Sequence, residues 1–166
     1  MHIAPLQAIH GEATREIFNY YVAASNATPE RDPRTATEQE QFLADLFVGA
    51  VVLDSGVVRG YAFSKPYAKG LESFDPAVEF GVYLDPTYTA RGAGSQLVRH
   101  VLDETRRLGK HTGVAKIDAT NLPSIKLFER LGFEEAARLR EIGIKNDKRV
   151  TVVFMQILLQ SQASDA

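Results

Sequence analysis

The apolar residues of the 166-residue chain alternate between the spacing of helices and the spacing of strands. Near the N-terminus they recur at helical spacing in HGEATREIFNYYVAAS, and a second helical face runs from Phe42 to Phe47. Short apolar runs then predict strands at VGAVVL, VVRGYAFS and PAVEFGVYL. The turn residues Asp54-Ser55-Gly56 between the first two of these runs indicate a hairpin.

The second half of the chain continues this alternation. A long helix ending at Gly109 has one apolar face, formed by Leu97, Val98, Val101, Leu102 and Leu108. GVAKIDA predicts a strand, and PSIKLFERLGF predicts a short helix with Pro123 near its start and Gly132 just past its end. EEAARLREIGI and KRVTVVFMQILL predict a closing antiparallel pair.

The predicted order is strand, helix, helix, three strands, helix, strand, helix and two strands. The strands cluster as hairpins at both ends, with a helical crossover between them. This order predicts an α+β fold with a central mixed, mostly antiparallel sheet flanked by about four helices. Thr37-Glu38-Gln39-Glu40 matches a capping box, so we expect Thr37 to begin the second helix.

Composition limits the possible functions. A chain with 45% apolar and 24% charged residues is typical of a globular domain, which we expect to span residues 1–160, with a polar tail at 161–166. The formal charge of −2 argues against nucleic-acid binding, and no apolar run approaches the length of a membrane span. There is no cysteine and the histidines show no ligand spacing, so no metal is expected. The N-terminus lacks the features of a secretory signal, which predicts a cytoplasmic protein.

A glycine-containing loop precedes the long helix. The strand VEFGVYLDP stops at Pro86, and Arg91-Gly92-Ala93-Gly94 leads into the helix. The first amides of a helix lack internal partners, and glycines allow them to close around an anion such as a phosphate. A valine at Gly94 is therefore expected to crowd these amides. The loop has neither the Gly-Lys-Ser/Thr of a Walker motif nor the third glycine of a dinucleotide fingerprint. Taken alone, two glycines at this spacing favour a simple strand-to-helix turn that requires glycine.

Two segments together resemble the GCN5-related N-acetyltransferase (GNAT) superfamily. TARGAG resembles its pyrophosphate loop, and NLPSIKLFERLGF resembles its Asn…Leu-Tyr-Glu-Lys-Leu-Gly-Phe signature, so that the core of the resemblance runs from Val78 to Phe133. A looser similarity from Ile9 to Leu159 points to the phosphinothricin and methionine sulfoximine acetyltransferase branch. It is carried by IFNYYVAAS, VEFGVYLDP, GKHTGVAKIDATN and GIKNDKRVTVVFMQ.

This resemblance implies the GNAT fold and an acetyl-CoA-dependent N-acetyltransferase acting on a small-molecule amine. The expected acceptor is an amino acid or an analogue such as phosphinothricin or methionine sulfoximine. Acetylation of a protein or an aminoglycoside, and a non-catalytic module that senses acyl-CoA, remain as alternatives. The branch commonly pairs through its C-terminal region, so a homodimer is expected. The apolar segment VTVVFMQILL is compatible with such pairing, or is an internal core strand.

The resemblance also assigns residues to the acetyl-CoA donor. The strand before the loop would bind the pantetheine arm through its backbone, at Val82, Tyr83 and Leu84. The pyrophosphate would be bound by amides of the loop, at Ala90, Arg91, Gly92, Ala93, Gly94 and Ser95. Asn121 would contact the pantetheine arm, cap the next helix, or do both. Phe128 stands where many members have a tyrosine that protonates the departing thiolate, and it is counted among the donor-contacting positions.

Other positions are implied for catalysis and for the acceptor. Glu79 matches the carboxylate that the branch uses as a general base, although without the resemblance it would be an ordinary exposed strand carboxylate. The Leu84 amide is a candidate oxyanion donor. Glu72, Ser73 and Phe74 match the substrate loop, and Phe18, Tyr21 and Tyr67 could join Phe74 in lining an acceptor pocket. The chain departs from the family pattern at Thr89, at Phe128 and at Lys145 to Thr151, a segment near the substrate pocket of the branch.

Overall fold

The computed structural model describes residues 1–89 and 91–159. Its described strands form one seven-stranded sheet with the order β1-β2-β3-β4-β5-β7-β6. The strands are β1 (His2–Pro5), β2 (Val48–Asp54), β3 (Val57–Pro66), β4 (Ala77–Leu84), β5 (Thr112–Asp118), β6 (Glu134–Lys145) and β7 (Lys148–Leu158). The α-helices are α1 (Gly11–Ala24), α2 (Ala36–Ala44), α3 (Ala93–Arg107) and α4 (Leu122–Arg130). The predicted order of elements and the predicted fold class are confirmed, whereas the polar tail predicted at 161–166 lies outside the described residues.

Parallel pairing occurs in the described sheet only between β4 and β5, and it is short. Ala77 to Glu79 pair with Thr112 to Val114. On its other edge β4 pairs with β3 along almost its whole length, up to Leu84 opposite Gly60. Beyond Glu79, therefore, β4 and β5 diverge, and within the described sheet one edge of β4 has no strand beside it.

Helices cover both faces of the sheet because side chains alternate along each strand. On one face α3 and α4 pack on the larger core, which contains Val78, Phe80, Ala115, Ile117, Leu97, Val101 and Phe128. On the other face α1 and α2 pack on a smaller, aromatic core, which contains Ile17, Val51, Tyr61, Phe63 and, at its border, Tyr83 and Phe42. None of the described helices is both long enough and apolar enough to span a membrane.

The second helix begins two residues earlier than the sequence predicts. The Thr35 hydroxyl accepts from the Glu38 amide, and the Glu38 carboxylate accepts from the Thr35 amide at 2.7 Å. The predicted capping box at Thr37 and Glu40 is therefore wrong. Thr-x-x-Glu occurs in both registers, and the earlier one is selected because Asn19 of α1 binds both main-chain groups of Arg34, at 2.7 and 3.0 Å. These bonds fix the chain just before Thr35.

The structure differs from the prediction at Leu108 and selects one of the two alternatives for VTVVFMQILL. Leu108, predicted on the apolar face of the long helix, follows the last helical residue of α3 and is 54% exposed. The apolar segment VTVVFMQILL lies in β7, between β5 and β6, and buries Val153 and Met155 in the core. Its apolar character is therefore used within the chain, as an internal strand.

Candidate functional site

A cavity of about 390 Å³ opens where β4 and β5 diverge. Its walls come from the unpaired part of β4, from Ala115 to Ile117 of β5, from the start of α3 and from α4. Two neighbouring strands that separate leave space between them and expose the edge of each. The topology thus brings together the strand, the glycine loop and the short helix that the sequence singled out.

The open edge of β4 directs main-chain groups into this cavity. The Asp85 amide donates to the Arg59 carbonyl at 2.9 Å. Because main-chain groups alternate in direction along a strand, every second residue of β4 before Asp85, including Tyr83, also directs its main-chain groups towards β3. The main-chain groups of Val82 and Leu84 point the other way, towards the open edge. An extended ligand can pair with such an edge as an additional strand does.

Tyr21 of α1 closes one end of the edge. Its hydroxyl donates to the Leu84 carbonyl at 2.8 Å, and its ring lies 5.7 Å from that of Tyr83. Partial burial raises the pKa of Tyr21, so the hydroxyl remains a donor through neutral pH. Because the Leu84 carbonyl is already bonded, the group that Leu84 can offer to a ligand is its amide.

The N-terminus of α3 faces the same cavity. Gly92 is its N-cap, in the left-handed conformation at φ 76°. The Gln96 amide donates to the Gly92 carbonyl at 3.2 Å, so the amides of Ala93, Gly94 and Ser95 precede the first helical hydrogen bond. Main-chain amides without a helical partner at the start of a helix can bind an anion. Ala90, which was assigned to the same loop, lies outside the described residues.

Gly94 serves helix packing as well as the loop. A Cβ at Gly94 would lie 2.8 Å from Leu127 Cδ1 of α4 and 3.6 Å from Leu84 Cδ1. A side chain at this position therefore points at α4 and β4. A valine here would therefore also clash with Leu127, in addition to the predicted crowding of the amides.

A match to a protein-family model shows which family this chain belongs to. The model described as "Acetyltransferase (GNAT) family" matches residues 12–133, which include β4, the glycine loop, β5 and α4. The chain belongs to the GNAT family. This membership confirms the resemblance to the GNAT superfamily that the sequence motifs indicated. It also identifies the chain as an N-acetyltransferase.

Several proteins resemble this GNAT chain over most of their length and most of its own. The L-methionine sulfoximine/L-methionine sulfone acetyltransferase of Salmonella typhimurium is 33% identical, over 92% of this chain and 91% of the relative. The phosphinothricin N-acetyltransferase of Streptomyces viridochromogenes is 31% identical, over 94% of this chain and 86% of the relative. The solved structure of yncA from Salmonella typhimurium with its cofactor acetyl-CoA has a TM-score of 0.92 at 29% identity, covering 100% and 98% of the two chains. The predicted branch and the GNAT fold are thereby confirmed.

In this GNAT enzyme, Glu79 lies where β4 and β5 separate. It is the last residue of β4 that pairs with β5, and its side chain is only 20% exposed. The Lys116 Nζ lies 2.9 Å from Oε2, and the Lys65 Nζ lies 3.7 Å from Oε1. Glu79 is therefore not an ordinary exposed carboxylate, because it is shared between two ammonium groups beside the cavity.

The sheet register explains this cluster, which the sequence reasoning missed. Lys65 is directly opposite Glu79 on β3. Val114 is opposite Glu79 on β5, so Lys116, two residues further on, lies on the same face of the sheet. The available signal was the lysine between Ala115 and Ile117 in the predicted strand GVAKIDA.

The predicted substrate loop stands beside this cluster. Glu72 to Phe74 form a short 3₁₀ helix, and the exposed Phe74 ring lies 6.4 Å from that of Tyr67. The Lys116 Nζ in turn lies 5.1 Å from the Tyr67 ring centroid. Of the other aromatic candidates, Tyr21 lines the cavity, whereas Phe18 is buried and packs edge-on against Tyr83 in the core.

Asn121 and Phe128 both line the cavity. The Asn121 Oδ1 accepts from the Ser124 amide at 3.3 Å, so its capping role at the start of α4 is observed. Phe128 is 2% exposed, and its ring packs edge-on against Phe133 at 4.9 Å. Phe128 thus closes the cavity wall with an apolar ring where many family members have a hydroxyl. Arg91 is exposed, with its guanidinium 4.7 Å from the Tyr88 ring centroid.

The segment that departs from the branch pattern, Lys145 to Thr151, forms the β6–β7 turn and the start of β7. Asn146 and Asp147 adopt left-handed conformations in the turn. Lys145 is 4% exposed and donates from Nζ to the Thr28 carbonyl at 2.7 Å, and burial lowers its pKa. Ala27, beside Thr28, lines the cavity. The hairpin therefore fixes the loop at one border of the site.

Proposed function

We propose that this enzyme transfers the acetyl group of acetyl-CoA to the amine of an α-amino acid or a close analogue. The observation that carries the proposal is the divergence of β4 from β5 beside Glu79. It leaves a strand edge for an extended ligand and ends that edge at a carboxylate. The acceptors named for the relatives, methionine sulfoximine, methionine sulfone and phosphinothricin, all combine an amine with a carboxylate.

The donor half of the site is proposed to use main-chain groups. Val82 and Leu84 would bind the pantetheine arm through the open edge of β4, while Tyr83 contributes its ring, since its main-chain groups face β3. The pyrophosphate would lie at the α3 N-terminus, on the amides that end at Ser95, where partial positive charge favours an anion. Arg91 adds a cation near this position. The carboxamide of Asn121 and the ring of Phe128 line the remaining wall.

Glu79 and Leu84 are proposed to act on the reacting atoms. Glu79, directly or through one water, would take the proton that the acceptor ammonium must lose before attack. The Leu84 amide would donate to the oxygen of the tetrahedral intermediate. Phe128 cannot supply a proton to the departing thiolate. A thiol with a pKa of about 8.5 is, however, a good enough leaving group to depart without an acid.

We also propose that the acceptor contacts the Glu72-Ser73-Phe74 segment and that the enzyme is a homodimer. The position of Phe74, linked through Tyr67 to Lys116, supports the first of these proposals. Exposed apolar side chains on the edge strand β6 support the second, namely Leu139, Ile142 and Ile144.

A thiol-release assay with acetyl-CoA and a panel of amines tests the proposed reaction. The panel contains L-methionine sulfoximine, L-methionine sulfone, phosphinothricin, an aminoglycoside and a peptide with a free N-terminus. We expect kcat/KM for at least one amino acid to exceed that for the aminoglycoside and the peptide at least tenfold. A preference for either of the latter would reassign the acceptor. Binding of acetyl-CoA by calorimetry without turnover of any amine would instead favour the acyl-CoA-sensing alternative.

A further inference from the structure

The cluster around Glu79 carries a net positive charge on the face of the sheet opposite α3 and α4. Two ammonium groups, Lys116 and Lys65, share the one carboxylate. Ala115 and Ile117, the neighbours of Lys116, point into the core under α3 and α4. Lys116 therefore points away from the proposed phosphate site, towards Glu79 and Tyr67.

Lys116 is placed to reach a ligand as well as Glu79. It lines the cavity, and its side chain is 37% exposed. An ammonium has three donors, of which the bond to Glu79 occupies one. The Tyr67 ring on its other side stabilises the cation but accepts no conventional hydrogen bond. Lys65 is farther from Glu79 and is not part of the described cavity wall.

The proposed reaction changes the charge of this cluster. The acceptor ammonium gives one proton to Glu79, and the neutral amine then attacks the acetyl carbon. The carbon–nitrogen bond forms, the carbon–sulfur bond breaks, and the second amine proton leaves with the thiolate as the thiol. While Glu79 holds its proton, two ammonium groups stand without an anion, an unfavourable arrangement at a partly buried position.

We infer that Lys116, supported by Lys65, binds the carboxylate of the amino-acid acceptor and thereby selects acceptors that carry one. This inference rests on the proposed function and assigns the residue that recognises the acceptor. The acceptor carboxylate restores the missing negative charge when Glu79 is protonated, and it orients the amine towards Glu79. An acceptor without the carboxylate lacks both effects.

Paired probes test the inference in the full-length enzyme. The kcat/KM values for L-methionine sulfone and for its carboxamide are measured with wild type, Lys116→Gln, Lys116→Arg and Lys69→Gln. The two probes differ in the basicity of their amines, but the ratio of their kcat/KM values compared between enzymes cancels that difference. We expect Lys116→Gln to reduce the preference for the acid at least tenfold, the scale of a charge-assisted hydrogen bond. Lys116→Arg should retain most of the preference.

Lys69 is the matched control, because it is an exposed lysine that pairs with Asp45 and not with Glu79. Lys69→Gln should keep the preference within twofold. A preference that Lys116→Gln leaves unchanged would overturn the inference while leaving the proposed function standing. A loss of acetyl-CoA affinity in Lys116→Gln by calorimetry would also overturn it, since Lys116 would then serve the donor. If wild type acetylates another amino acid of the panel better than methionine sulfone, that amino acid and its carboxamide replace the two probes. If wild type acetylates no amino acid of the panel, the proposed function fails and the inference fails with it.

Discussion

Glu79 lies where β4 and β5 separate, and the strands on either side of it each contribute a lysine, Lys65 on β3 and Lys116 on β5. A carboxylate in this position can accept a proton only if the acceptor amine lies within hydrogen-bond reach of it or of a bridging water. The Glu79 carboxylate lies 2.9 Å from the ammonium of Lys116, and Lys116 lines the cavity.

Glu79→Gln keeps the size of the side chain and removes the proton acceptor. We expect turnover to fall roughly 10²–10⁴-fold near neutral pH, the usual scale for loss of a general base. Much of the lost rate should return at high pH, where the amine deprotonates without help. Acetyl-CoA affinity, measured by calorimetry, should barely change, because the proposed phosphate contacts lie on α3.

The control for this prediction is Glu104→Gln, which removes a carboxylate that pairs with Arg107 on the outer side of α3. It should leave turnover unchanged. Wild-type turnover of Glu79→Gln across the pH range would mean that Glu79 serves only to hold the two lysines, and another proton acceptor would have to be sought.

Among the elements, α3 has a glycine in the left-handed conformation at each end. Gly92 is its N-cap at φ 76°, and Gly109 follows its C-cap at φ 75°. Apart from the chain next to the glycine, a Cβ at either position would meet no described atom within 4 Å. The two positions therefore impose the same backbone requirement, while only Gly92 belongs to the cavity wall.

Gly92→Val and Gly109→Val should therefore destabilise the protein similarly, each by about 1–2 kcal/mol, the cost of a left-handed conformation for a residue with a Cβ. Only Gly92→Val should weaken acetyl-CoA binding, since it distorts the amides at the α3 N-terminus. Denaturant unfolding and calorimetry provide the two measurements. Equal loss of affinity in both variants would contradict the assignment of the donor phosphates to this loop.

The elements themselves were predictable from sequence because each has its own periodicity and its own stop signals. Gly132 after α4 and the Ser55-Gly56 turn between β2 and β3 stand where local pattern puts them. The start of α2 was not predictable, since Thr35 and Thr37 offer equivalent capping boxes and a distant residue, Asn19, selects between them. The cluster at Glu79 was equally out of reach. It depends on strand register and on the point where β4 leaves β5, which no local pattern encodes.

At the scale of the whole molecule, β6 forms one outer edge of the sheet and is largely exposed. Leu139 and Ile142 on this strand are 39% and 57% exposed. An exposed edge strand with apolar side chains is a surface that proteins commonly cover by association. This favours the C-terminal hairpin as the place of the proposed dimer contact.

We expect a homodimer by light scattering at micromolar concentration, and we expect Leu139→Glu combined with Ile142→Glu to convert it to a monomer. Leu108→Glu is the control, because Leu108 is similarly exposed but lies at the end of α3. It should leave the mass unchanged. A monomeric wild-type protein would remove the dimer from the description of this enzyme.

The divergence of β4 from β5 also bears on how this enzyme can change over generations. The proposed acetyl source is recognised by amides along a strand edge and at a helix end, and these groups are the same whichever side chains the residues carry. The proposed acceptor is recognised by side chains, chiefly those of Lys116 and of the Glu72-Ser73-Phe74 segment. Substitutions on that face can therefore alter which amine is acetylated while the acetyl source stays the same. The donor half of the site is therefore insensitive to most mutations. In the acceptor half, single mutations can create a new specificity.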